Sequence, residues 1–157
     1  GLRYVFAAIW TARPSWGQGG HVFLGNLDGT TITSQFPETH TTHAPQRTLN
    51  WEDTLAAEGR APDYVFKIWV PDDAALDEAA RTQRGFPTWD WLPDRRKGET
   101  NCVAAANEVL AQGGGPYLMV QPLLPGEMAR YLNGAAHEFR SGVIRYDVIL
   151  LDRVPWR

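Results

Sequence analysis

The sequence predicts an α+β fold in a single domain, on three observations. Two apolar runs rich in β-branched and aromatic residues, Leu2 to Thr11 and Asp63 to Val70, have the length and composition of buried strands. Three segments carry paired helix signals, a polar cap at the start and glycine at the end. The 157 residues, 43% of them hydrophobic, are enough for one core, and no linker-like or low-complexity stretch divides them.

The elements follow in order. Leu2 to Thr11 opens as a strand, and the turn residues from Arg13 to Gly20 break it. His21 to Leu24 is a second strand, and Gly25-Asn26-Leu27-Asp28-Gly29 is a hairpin signal that returns the chain through Thr30 to Gln35. Pro37 ends that strand, and Thr39 to Arg47 reads as a polar loop. Asn50 caps a helix with Glu52 and Asp53 in its first turn and Gly59 as its stop. Asp63 to Val70 is a strand closed by Pro71. Asp72 or Asp73 caps a second helix, Ala74 to Arg84, which ends at Gly85. Phe86 to Glu99 is a loop carrying Trp and Pro, long enough to suggest a function such as a lid. Thr100 or Asn101 caps a third helix, Cys102 to Gln112, stopped by three glycines. A short helix from Pro125 to Asn133 and a strand from Gly142 to Leu151 complete the chain.

Composition narrows the functional classes. A net charge of −3 argues against nucleic-acid binding, which needs a concentrated basic surface. The one basic run, Arg95-Arg96-Lys97, lies between Asp94 and Glu99 and reads as a solvated loop. No stretch approaches the length of a membrane span. Seven tryptophans are many for this length. Trp16, Trp89, Trp91 and Trp156 lie close to Pro or Gly, where such rings brace loops or line a groove. The chain begins abruptly at Gly1 and enters an apolar run, which suits a module cut from a longer protein.

Cys102 is the only cysteine, so no internal disulfide can form and only one thiol nucleophile is available. Its place in the first turn of a helix puts it near uncapped backbone N–H groups and the positive end of the helix dipole. These favour a thiolate and can hold an oxyanion. The competing reading is a buried structural cysteine. A thiolate needs an acid–base partner, and His21 qualifies because a polar imidazole opening an apolar strand after Gly19-Gly20 suits a cleft wall. His40 and His43 form a His-x-x-His with no helix to fix it and no Cys or carboxylate close in sequence. They read as solvated loop residues, and no metal or other cofactor is expected. His137 has no distinguishing context.

Gly20-His21-Val22-Phe23-Leu24-Gly25-Asn26, with Thr30-Thr31-Ile32-Thr33-Ser34 after the turn, resembles the His strand of NlpC-type papain-like amidases. Thr100-Asn101-Cys102 before a helix resembles the start of their nucleophile helix. With His before Cys, the order is similar to the permuted branch of that superfamily; triads recur by geometry and not by chain order. The resemblance covers about a fifth of the chain. It implies a papain-like domain over residues 1–157, an antiparallel sheet packed on the nucleophile-bearing helix. It further implies Cys102 as nucleophile and His21 as base. The third, orienting residue falls near Thr33 or Ser34, where the family has His, Asn or Gln; Ser34, Gln35 and His40 are the candidates, with Ser34 first. Asn101 and Gln35 are expected to support the oxyanion site, and Trp16, Trp89 and Trp91 to line the substrate groove. The implied activity is cleavage of an amide through a thioester, the substrate being a peptidoglycan peptide or a protein peptide or isopeptide bond. The abrupt start suits a secreted toxin or effector module at the C-terminal end of a longer protein, with an immunity-type inhibitor as partner. The alternative is a non-catalytic interaction domain that uses the loop 86–99, and a third reading is a His-based metal hydrolase.

Overall fold

The structure, a computed structural model, describes residues 3–16, 19–39, 43–142 and 147–156, and for Trp16 the backbone alone. A five-stranded sheet forms its centre, in the order β3-β2-β1-β6-β9. These strands are β1 (Arg3–Trp10), β2 (His21–Asn26), β3 (Thr31–Thr33), β6 (Tyr64–Val70) and β9 (Val148–Leu151). Every neighbouring pair in it is antiparallel.

The apolar run of the first strand explains its place at the middle of the sheet. Val5 to Trp10 are all fully buried, which requires both faces to be covered. Val5, Ala7 and Ile9 point into one core and Phe6, Ala8 and Trp10 into another. The first core is closed by three helices, α2 (Asp73–Gly85), α3 (Cys102–Gln112) and α4 (Pro125–Arg140), through residues such as Leu76, Val109, Leu110 and Leu132. The second is aromatic and is closed by Trp51 of α1 (Trp51–Glu58) with Trp156 near the C-terminus. Trp51 meets Phe6, Phe23 and Trp156 edge-on at centroid distances of 5.1–6.0 Å, a favourable arrangement of ring quadrupoles. The chain is thus α+β, with an antiparallel sheet between two layers.

The expected strand from Thr30 to Gln35 is divided. β3 stops at Thr33, Ser34 lies between, and Gln35 opens β4 (Gln35–Pro37) in a second, smaller sheet. That sheet continues through β5 (Ala44–Thr48), β7 (Thr88–Trp89) and β8 (Glu99–Thr100), the last pair being parallel. β5 occupies part of the segment expected to be a polar loop. Its polar composition reflects exposure of much of the strand, and Gln46 anchors it by donating to the carbonyls of Gln83 and Phe86 at the end of α2 (2.8 and 2.6 Å). The expected 86–99 loop is likewise pinned by β7, β8 and a 3-10 turn at Arg95–Lys97. α4 runs on past Asn133 to Arg140, because Ala135 and Ala136 extend the buried stripe begun by Met128 and Leu132. β9 begins at Val148, later than Gly142; residues 143–146 lie outside the described residues.

Candidate active site

His21 is the first residue of β2, paired with Trp10 at the end of β1. Gly20 before it has φ +81°, and a Cβ there would stand 2.4 Å from the Trp10 carbonyl oxygen. Only glycine brings the chain in at that angle. The imidazole is buried and stacks on Phe36 at 4.0 Å. Its Nε2 lies 2.9 Å from Ser34 Oγ, which lies 2.7 Å from Thr54 Oγ1 of α1. The break between β3 and β4 is what turns the Ser34 hydroxyl toward the ring. Gln35 turns elsewhere: its Oε1 accepts from the Ser34 N–H, and its Nε2 donates to Gln46 and Thr48. His40 lies outside the described residues. Burial lowers the His21 pKa to about 3, so the ring is neutral at ordinary pH.

Cys102 is the first residue of α3 and is 7% exposed. Asn101 caps the helix, its Oδ1 accepting from the Ala104 N–H at 2.8 Å, while its carbonyl accepts from Ala105. The Asn101 side-chain N–H groups go to the carbonyls of Asp90 and Trp91 (3.1 and 3.3 Å). Asn101 therefore ties the helix start to the 86–99 segment and has no donor turned to an oxyanion. The depressed thiol pKa expected at a helix start does not result. Burial pushes the Cys102 thiol up to about 12. The backbone N–H groups of Val22, Val103 and Cys102, which face the sulfur, pull it down by less, and the Glu58 carboxylate adds to the rise. Desolvation of the charged form outweighs the dipole.

Cys102 and His21 line one cleft of about 350 Å³. No hydrogen bond joins them, and His21 Nδ1 has no partner among the described residues. Trp89 and Trp91 also line the cleft, packed edge-to-face at 4.7 Å. Trp89 is buried and its indole N–H reaches the Gln35 carbonyl, whereas Trp91 is 53% exposed and lies over Gly19. Trp16 sits in a 3-10 turn, and its side chain is outside the described residues. Glu38, Arg47 and Glu58 add charge to the walls. Ser34, by contrast, reaches the site only through the imidazole.

His43 is an exposed turn residue, as expected, but its ring also faces two carboxylates that the sequence did not place near it. Its Nδ1 is 2.5 Å from Asp90 Oδ2 and 3.1 Å from Glu99 Oε2. Sequence spacing could not reveal this group, since 47 and 56 positions separate the histidine from its neighbours. Among the described residues no helix is long and apolar enough to cross a membrane. No known protein family, curated protein or solved structure matches this chain.

Proposed function

We propose that this chain is a cysteine-dependent hydrolase or acyltransferase of amide bonds, with Cys102 as nucleophile, His21 as base and Ser34 as the positioning residue. The observation that carries the reading is the His21–Ser34–Thr54 hydrogen-bond chain beside a cleft that also holds the chain's only thiol. If Nε2 donates to Ser34, Nδ1 keeps the lone pair a base needs.

In this mechanism the resting pair is neutral. As the sulfur attacks the carbonyl carbon, its proton passes to His21 Nδ1 and the carbonyl oxygen becomes an oxyanion. Asn101 occupies the N–H groups of Ala104 and Ala105, so those of Cys102 and Val103 are the helix-start donors left to receive it. Collapse expels the amine, which takes the proton from His21 and leaves a thioester. His21 then removes a proton from water, or from an acceptor nucleophile, to release the acyl group and restore the thiol. The apolar walls at Phe36, Trp89 and Trp91 suit a peptide-like acyl chain, as in a peptidoglycan peptide or a protein peptide or isopeptide bond.

The test is turnover of muropeptides, ubiquitin-like conjugates and acyl esters, with Cys102→Ala as control. Loss of turnover in that variant, with its circular dichroism unchanged, is expected; full turnover without the thiol would overturn the reading. The second reading, a non-catalytic interaction domain, is favoured by Trp91 and Leu92, which stand 53% and 68% exposed. It predicts no thiol-dependent turnover on any substrate and loss of a partner in Trp91→Ala.

A further inference from the structure

We propose that His43, Asp90 and Glu99 form a binding site for a divalent transition-metal ion, Zn²⁺ or Mn²⁺. One ligand atom from each residue lies within 4.8 Å of the other two, a spacing that a single ion can bridge. The charges require something there. Asp90 and Glu99 are 5% and 8% exposed, and among the described residues His43 is the one basic side chain that pairs with either. Two buried carboxylates that share one imidazole neighbour are an expensive arrangement in a poorly solvated site unless a cation satisfies them.

The individual oxygens point the same way. Asp90 Oδ1 accepts from the Leu92 N–H and Glu99 Oε1 from the Asp94 N–H, both at 2.9 Å. These bonds fix each carboxylate and turn its second oxygen toward His43. Asp90 Oδ2 is fully buried and accepts no hydrogen bond; its neighbour is the His43 imidazole, with which it forms an ion pair at 2.5 Å. A buried carboxylate oxygen that accepts no hydrogen bond, aimed into a cluster of ligand-type groups, is what a metal ion would satisfy. His43 has φ +54°, a left-handed conformation that histidine tolerates better than most residues and that turns Nδ1 to the carboxylates. One imidazole nitrogen with two carboxylate oxygens suits Zn²⁺ or Mn²⁺, whereas Ca²⁺ and Mg²⁺ prefer all-oxygen shells.

The ion would be structural. It would clamp the start of β5 to the end of β7 and the start of β8, and the Asp90 carbonyl is one of the two that hold Asn101 ahead of Cys102. The experiment titrates metal-free Cys102→Ala protein with ZnCl₂ and MnCl₂, a background in which the cleft thiol cannot compete. One equivalent of Zn²⁺ or Mn²⁺ by calorimetry, and a rise in Tm of about 5 °C at saturation that EDTA reverses, are expected. His43→Gly, which removes the imidazole and relaxes the positive φ, should abolish both effects. Asp90→Asn keeps the acceptor for Leu92 and should weaken binding at least 10-fold. No binding of either ion, equal binding in His43→Gly, or preference for Ca²⁺ would overturn the proposal.

Discussion

At the scale of single residues, the two groups proposed for catalysis are held in their uncharged forms by burial. For His21 this has a consequence for stability. The unfolded chain takes up a proton near pH 6.5, whereas the folded ring, lowered to about 3, refuses it. Stability is therefore fully present above pH 6.5 and falls as the pH drops toward 3. Between pH 6.5 and 5 the loss attributable to this ring should be about 1–2 kcal/mol. Urea unfolding across that range should show it, and His21→Asn should flatten the slope. Ser34 acts through the ring. Ser34→Ala removes the partner of Nε2 and strands Thr54 Oγ1, so kcat should fall about 10- to 100-fold. Ser34→Thr, which keeps the hydroxyl, should recover most of that loss, and a purely structural serine would show no such rescue in kcat. The sequence made Cys102 and His21 legible because each starts an element after glycine or a polar cap. Ser34 stood first among the candidates from sequence, but the strand break at which its hydroxyl meets the ring is one that no local pattern announces, and the state of the thiol depended on burial set by distant parts of the chain.

At the scale of elements, the start of α3 depends most on one side chain. Asn101 caps the helix and also holds two carbonyls of the preceding segment. Asn101→Ala should cost about 2–4 kcal/mol, the cap contributing about 1 and the orphaned buried carbonyls the rest. Chemical denaturation measures this, and Asn101→Asp should not rescue it, because a carboxylate caps but cannot donate to those carbonyls. The starts of the four helices among the described residues were readable to within one position, from Asn50, from Asp72 or Asp73, from Thr100 or Asn101, and from Pro125, since caps act within one turn of chain. β5 was not readable: Ala-Pro-Gln-Arg-Thr has no alternation, and only its pairing with β4 and β7 and the reach of Gln46 make it a strand. The same holds for β7 and β8, two residues each, whose parallel pairing joins segments eleven positions apart.

At the scale of the whole molecule, the central sheet separates two cores that share no side chain. Leu110→Ala in the helical core and Phe23→Ala in the aromatic core should each cost about 3–5 kcal/mol. Lying on opposite faces of the sheet, they should add to within about 0.5 kcal/mol in the double variant, as equilibrium unfolding would show. The α+β class and the buried first strand were legible because burial on both faces writes an unbroken apolar run. The second sheet was not, since its strands are short, partly exposed and assembled from three separate regions. The raised pKa of Cys102 also bears on how the molecule ages. Peroxide oxidises thiolates, and a sulfur that keeps its proton climbs that ladder slowly. With the chain's only thiol sheltered in this way, the protein should remain reduced in aerated solution and run as a monomer on a non-reducing gel.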